Sequence, residues 1–220
     1  MLEAILGLAV LLASVVIHEN AHGVAAFALG DDTARAAGRI TLNPAKHLDI
    51  VGSVILPALL FFTTGSMFGY AKPVPVNPAK LRGKDRWGFA LVALAGPAAN
   101  LVLAFIAAVI ANRLYGIDVE PLRNVRFSSG DIAAIGVVPF LIVAGFVWNV
   151  LLAAFNLIPI PPLDGSRIMR VFLTENGRRT LDRIEPYGFL ILFAVIIWLQ
   201  EPLSRIIGFI ESGLLRILPL

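Results

Sequence analysis

The sequence predicts an all-α membrane protein, a polytopic bundle of five to six transmembrane helices. Two observations lead to this fold class. Of the 220 residues, 58% are hydrophobic and only 15% are charged, whereas roughly a quarter of the residues in an average soluble domain are charged. Several apolar stretches also reach the roughly 20 residues that a helix needs to cross the hydrocarbon core. Because lipid cannot satisfy open backbone hydrogen bonds, each span is expected to be helical.

Four apolar stretches are long enough to cross the bilayer, and a fifth is marginal. The first contains a polar cluster in its second half, whereas the second, third and fourth carry no charged residue. The bounds are Leu2–Leu29, Ile50–Ala71, Gly88–Ala111 and Ile132–Ile160 for these four, and Pro186–Gln200 for the fifth. The tail, Leu203–Leu220, fits either a sixth span or, slightly better, an amphipathic helix in the interface.

Two connections have extended rather than helical character. Residues 39–42 include β-branched side chains, and residues 71–76 contain Pro73 and Pro75, which would confine that segment to a sheet edge or an irregular strand. We therefore expect short membrane-associated strand-like segments beside the helices. Since the sequence has no repeat and no low-complexity tract, residues 1–220 are interpreted as a single integral-membrane domain.

The charge pattern favours the lipid bilayer over nucleic acid as a partner. The formal net charge is +3, and no long basic run is interleaved with aromatic residues. The chain has no cysteine, which excludes thiolate metal ligands and leaves His, Asp, Glu or Asn to hold any metal. Lys and Arg are too evenly distributed to orient the protein in the membrane, and the oligomeric state is not specified by the sequence.

A metal-binding pattern lies within the first apolar stretch. His18-Glu19-Asn20-Ala21-His22 fits H-E-x-x-H, in which two histidines four residues apart share one helix face and can bind a single Zn²⁺. Glu19 can then act as the general base toward a water molecule at the metal. Ionisable groups inside an apolar span are costly and usually functional. The alternative is a polar cluster paired within the bundle without a metal.

A zinc hydrolase normally has a third protein ligand. Asp164 follows the fourth span, where prolines end the helix and Gly165 permits a turn that could direct the carboxylate into the bundle. An exposed aspartate in a turn explains the same residues equally well. The other candidates are His47, which fits a loop histidine better, and the carboxylates Asp31, Asp32, Asp49 and Asp131.

Taken together, these motifs resemble the site-2 protease family of intramembrane zinc metalloproteases. The resemblance covers most of the chain and rests on the H-E-x-x-H motif and on Leu163-Asp164-Gly165. Three further stretches support it, Gly38–Pro44, Ala71–Pro78 and Ala95–Asn100. It is a resemblance to the small form of the family, in which neither a PDZ-like domain nor a nucleotide-sensing domain is expected.

The resemblance implies one Zn²⁺ per chain, with His18, His22 and Asp164 as ligands and Glu19 as the catalytic acid/base. It assigns Asn156 to substrate or oxyanion binding, for which an interhelical hydrogen bond is the alternative. The stretch from Ala95 to Asn100 is interpreted mainly as helix packing beside the site, with Asn100 as a candidate contact.

The resemblance further implies a hydrolase, a multi-pass endopeptidase of a prokaryotic cell membrane. Its substrates would be single-span membrane proteins, cleaved in regulated intramembrane proteolysis, and residues 73–76 could pair with an extended substrate by strand addition. Two other classes stay open. A metal-handling membrane transporter would predict further acidic or His residues in the second, third and fourth stretches, which have none. A non-catalytic membrane scaffold would not need the intact Glu19.

Overall fold

The computed structural model describes residues 2–49, 71–82, 86–117 and 131–198, together with positions 52, 201, 205, 208 and 209. Eight α-helices are described within these ranges. In chain order they are α1 Leu2–Ala28, α2 Thr33–Ala36, α3 Arg86–Tyr115, α4 Asp131–Ile135, α5 Val137–Asn156, α6 Asp164–Met169, α7 Glu175–Ile184 and α8 Gly188–Trp198. Short 3₁₀ turns occupy Pro44–Lys46, Pro78–Lys80 and Glu185–Tyr187.

Three of these helices, α1, α3 and α5, are long and apolar enough to cross a membrane. They correspond to the first, third and fourth predicted spans, so the all-helical membrane prediction is confirmed for this part of the chain. The predicted second span at 50–71 and the tail at 203–220 lie almost wholly outside the described residues. The fifth stretch begins as a 3₁₀ turn and continues as α8.

The fourth predicted span differs from the helix that forms there. Gly136 adopts a φ of 89°, a left-handed conformation that glycine tolerates without steric cost, and it separates α4 from α5. At the other end, α5 stops at Asn156, because the prolines that follow cannot continue a hydrogen-bonded helix. The predicted stretch of residues 132–160 is therefore a short helix, a longer spanning helix and a proline-rich connection.

The three long helices pack closely because their contact faces carry small residues. Ala104, Ala108 and Ala111 form a ridge on α3 that packs against Phe146 and Val150 of α5. Small side chains let helix backbones approach in a membrane, where burial of apolar surface gives little driving force. The outer faces of α1 and α3 carry large exposed apolar side chains, as expected of helices that face lipid; they include Ile5, Leu8, Leu91, Val102 and Ile106.

The predicted strand-like segments form no strand among the described residues, so this prediction is wrong there. Residues 39–42 and 71–76 are irregular. Pro73 and Pro75 have no N–H to donate to a ladder. The backbone groups around them form separate hydrogen bonds instead of a ladder. Arg39 Nη2 donates to the Lys72 carbonyl at 2.6 Å, and the Lys72 N–H donates to the His47 carbonyl at 2.8 Å.

Residues 71–82 form a segment that is hydrogen-bonded to α1 and to the residues just after it, and we call it the cap segment. Beyond the C-terminal end of α1, the buried Asp31 accepts a hydrogen bond from the N–H of Asn77 at 2.6 Å. Further along α1, Glu19 Oε2 accepts a hydrogen bond from the N–H of Val74 at 2.9 Å. The cap segment therefore lies against the part of α1 that carries the H-E-x-x-H motif.

Gly165 permits the tight turn that leads into α6. A Cβ at this position would lie 2.2 Å from the carbonyl oxygen of Leu157 and 2.5 Å from that of Ile158. Both contacts are with backbone, which cannot move aside as the end of a flexible side chain can. Only glycine therefore lets α6 start against the connection after α5, and this start brings Asp164, the first residue of α6, into the bundle.

Replacing Gly165 with alanine is expected to destabilise the protein by roughly 1–3 kcal/mol, the usual cost of an inserted methyl group that packed neighbours cannot accommodate. The measurement is the midpoint of thermal unfolding in detergent. Gly145→Ala is the matched control, because a Cβ there would meet only the Ala107 Cβ at 4.0 Å. An unchanged midpoint for Gly165→Ala would contradict the close approach.

Candidate metal centre

Two helices bring three metal-ligating side chains together. His18 and His22 lie one turn apart on α1, and Asp164 is the first residue of α6. All three are buried, with 5%, 6% and 5% of their surface exposed. Among the described residues, they are the one group of three or more His, Asp or Glu side chains that could hold a metal ion.

The ligand atoms form a nearly equilateral triangle. Nε2 of His18 and Nε2 of His22 are 3.1 Å apart, and each lies 3.2 Å from Oδ2 of Asp164. A tetrahedral zinc ion with ligands at roughly 2.0–2.1 Å requires ligand atoms about 3.3 Å from one another. The three residues therefore fit a zinc ion in spacing as well as in chemical type.

The hydrogen bonds on the far sides of the imidazole rings favour a cation shared by the two rings and Asp164. His22 Nδ1 lies 2.7 Å from the carbonyl oxygen of Val92, which can only accept, so Nδ1 carries the proton. His18 Nδ1 lies 2.5 Å from Oδ1 of Asn100 and donates to it. Both Nε2 atoms of the neutral rings then present lone pairs to each other and to Asp164. One proton could bridge two of these three acceptors, whereas a metal ion is coordinated by all three.

Gly96 of α3 shapes the wall of this group. A Cβ on Gly96 would lie 2.5 Å from Nε2 of His22 and 2.6 Å from Nε2 of His18. The space in front of the two ligand atoms is therefore open only because position 96 has no side chain. The stretch from Ala95 to Asn100 was expected to pack beside the site, and Gly96 of this stretch does lie directly against both imidazole rings.

Glu19 lies next to His18 in the sequence and is half-buried. One of its carboxylate oxygens, Oε2, accepts the hydrogen bond from Val74 of the cap segment. The cap segment thereby fixes the orientation of this carboxylate with a backbone donor. No local sequence pattern indicates this contact, because it joins residues 55 positions apart.

Asn156 lies at the C-terminal end of α5, eight residues before Asp164. Its side-chain amide donates to the carbonyl of Leu152 within the same helix at 3.0 Å. The third histidine, His47, does not belong to the metal-ligating group. It is buried rather than exposed in a loop, and its Nε2 donates to the carbonyl of Thr41 at 2.9 Å.

Asn149 is a buried residue near the site that sequence reasoning missed. It lies on α5 and accepts a hydrogen bond from Asn100 at 2.7 Å, and Asn100 in turn contacts His18. The composition of the stretch could have identified Asn149. Asn149 and Asn156 are the two side-chain amides in the otherwise apolar stretch of residues 132–160, and polar residues in a span are expensive and tend to be functional.

The arrangement of an H-E-x-x-H helix and a distant aspartate within apolar helices is that of a membrane metalloprotease. Residues 6–199 match the model of peptidase family M50. The chain therefore belongs to this family, the site-2 protease family, as the sequence motifs indicated, and it is an integral membrane zinc metallopeptidase.

The chain is also similar to individual proteins that are named as zinc metalloproteases. The "Putative zinc metalloprotease YwhC" of Bacillus subtilis strain 168 is 36% identical over 190 residues, which cover 85% of this chain and 78% of that protein. The "Putative zinc metalloprotease Rip2" of Mycolicibacterium smegmatis is 34% identical over 187 residues. The protein of the same name from Mycobacterium tuberculosis H37Rv is 27% identical over 193 residues.

The alignments cover 84% and 88% of this chain but only 64% and 66% of the two mycobacterial proteins. This chain thus spans slightly less than two thirds of their length. No solved structure matches the chain.

Gly96→Ala is expected to lower zinc binding at least about 10-fold, as the loss of a structural feature at a metal site commonly does, because its methyl group would crowd both Nε2 atoms. Zinc content per chain, measured by mass spectrometry after purification and resupply, checks this. Gly7→Ala is the control, since a Cβ there would meet only Nε1 of Trp148 at 3.8 Å. Full zinc content in Gly96→Ala would show that the metal does not bind beside Gly96.

Proposed function

We propose that the protein is an intramembrane zinc endopeptidase that hydrolyses peptide bonds of single-span, membrane-anchored proteins. The observation that carries the proposal is the buried triangle of acceptor atoms, 3.1–3.2 Å apart, next to Glu19 on a helix long enough to cross a membrane. A peptidase site at this position acts on bonds within or beside the bilayer. Because the site lies among helices that are long and apolar enough to cross a membrane, the proposed substrates are membrane proteins.

His18, His22 and Asp164 would hold the zinc ion in this proposal. When bound, zinc supplies a Lewis acid that polarises the scissile carbonyl and makes water more acidic. The two imidazoles are kept in the coordinating orientation by the acceptors behind them, Val92 and Asn100. The buried carboxylate of Asp164 supplies the negative charge that offsets the cation in a low-dielectric interior.

Glu19 is the proposed general base and acid. It takes the proton of the attacking water and delivers it to the leaving amine, which is the role of the glutamate in an H-E-x-x-H motif beside a bound metal. The hydrogen bond from Val74 engages Oε2 of Glu19, so the carboxylate is held in one orientation while its second oxygen can accept the proton.

Asn156 is the proposed donor to the oxyanion that develops on the scissile carbonyl. Its amide nitrogen carries two hydrogens, and the hydrogen bond to Leu152 uses one of them. Its position at the end of α5, where the proline-rich connection leads to Asp164, supports this role. The physiological setting that we propose is regulated intramembrane proteolysis, in which such a cut releases part of a membrane-anchored protein.

The test is cleavage of a model single-span substrate by the purified protein in liposomes. Glu19→Gln is expected to reduce the cleavage rate at least about 100-fold, the usual contribution of a general base, and to leave zinc content unchanged. A chelator should abolish cleavage by the wild type, and added zinc should restore it.

Glu3→Gln is the matched control, because it makes the same chemical change in the first turn of the same helix. It should cleave like the wild type. Undiminished cleavage by Glu19→Gln would contradict the role of Glu19. Cleavage that resists chelation would contradict the metal mechanism, and a wild type that binds zinc but cuts no membrane substrate would contradict the endopeptidase proposal.

A further inference from the structure

Three buried polar side chains continue from the metal centre into the interior of the bundle. Asn100 of α3, Asn149 of α5 and Ser14 of α1 are 0%, 3% and 4% exposed. Asn100 Nδ2 donates to Oδ1 of Asn149 at 2.7 Å, and Asn149 Nδ2 donates to Oγ of Ser14 at 2.9 Å. At the other end, Oδ1 of Asn100 lies 2.5 Å from Nδ1 of His18. We call this chain of residues the relay.

Two backbone carbonyls fix the direction of the relay at its far end. Carbonyl oxygens can only accept hydrogen bonds. Asn149 Nδ2 lies 2.7 Å from the carbonyl of Gly145, so the nitrogen, and not the oxygen, of this amide must face that way. Ser14 Oγ donates its single hydrogen to the carbonyl of Val10 at 2.9 Å, which leaves the oxygen of Ser14 as an acceptor for Asn149.

The fixed end determines every bond up to the metal centre. Because the nitrogen of Asn149 is used by the carbonyl and the hydroxyl, its oxygen faces Asn100 and must receive a donor. Asn100 therefore points its nitrogen toward Asn149 and its oxygen toward His18. An oxygen in that place accepts, so Nδ1 of His18 must carry the proton and Nε2 must present its lone pair to the metal.

We propose that Asn149 is a positioning residue of the metal centre, which acts through Asn100 to hold His18 in its metal-binding tautomer. The inference rests on the proposed role of His18 as a zinc ligand. Without Asn149, the amide of Asn100 loses its only described acceptor on the far side and is free to turn over. Its nitrogen would then donate to Nδ1 of His18, and the proton would move to Nε2, where it competes with zinc.

Helix association alone would explain the same hydrogen bonds, because polar side chains also link helices within membranes. The two roles differ in what happens when Asn100 cannot turn over. An aspartate at position 100 presents an acceptor to His18 in either orientation, so His18 stays in its metal-binding tautomer whatever lies behind it. In an Asn100→Asp background, the second carboxylate oxygen faces the acceptor Oδ1 of Asn149, so removing Asn149 should not weaken zinc binding.

The experiment is a double-mutant cycle on the full chain in detergent, with Asn149→Leu, Asn100→Asp and their combination. The zinc dissociation constant is measured by competition with a chelating dye, and the thermal unfolding midpoint is measured on the metal-free proteins. Asn149→Leu alone is expected to weaken zinc binding 10- to 100-fold, as is usual for residues that orient a metal ligand. In the Asn100→Asp background the same substitution should weaken zinc binding by no more than about 2-fold, so the two substitutions are strongly non-additive.

Asn149→Ala is made in parallel, because a smaller side chain avoids any clash that the leucine introduces. Unchanged zinc binding in Asn149→Leu and Asn149→Ala, or an equal loss in both backgrounds, would overturn the relay while the proposed metal site stands. A wild type that binds no zinc after resupply would overturn both.

Discussion

The structure depends on the meeting of three hydrogen-bond acceptors at one buried point. Two imidazole nitrogens and a carboxylate oxygen lie within 3.2 Å of each other, and the donors of both rings are directed away from that point. In an apolar interior such an arrangement is unfavourable by itself, because buried acceptors that face one another without a donor cost several kcal/mol. A divalent cation makes the arrangement favourable, because all three acceptor atoms can coordinate it. The local geometry of the helices is what keeps the three atoms facing one another.

Several other features of the bundle help to hold those three atoms in place. Gly96 removes the side chain that would fill the space before them, and Gly165 removes the one that would keep α6 out of the bundle. Small residues bring α3 and α5 together, so the amides on these helices can reach across to α1. The cap segment orients Glu19. Each of these features acts through direct contacts, and Gly96, the two amides and the cap segment all contact side chains of α1.

Much of this could be predicted from the sequence, because its signals are local or compositional. The apolar stretches indicated the three long helices, the H-E-x-x-H spacing indicated two of the three residues in the candidate metal group, and the family resemblance indicated Asp164. The remaining features depend on contacts between residues far apart in the chain. Nothing local says that Val74 faces Glu19, or that Asn149 lies behind Asn100. The proline-containing cap segment looked like an edge strand, but its backbone is satisfied by a side chain and single carbonyls, and it forms no strand in the described part of the chain.

The most direct test of the account is zinc-edge X-ray absorption on the purified wild type, together with its metal content. The account predicts about one zinc ion per chain, with nitrogen and oxygen ligands at roughly 2.0–2.1 Å and the scattering signature of two imidazoles. It also predicts that a variant with both His22→Ala and Asp164→Ala loses that signal. A wild type that holds no zinc after resupply, or a double variant that retains the same spectrum, would contradict the account.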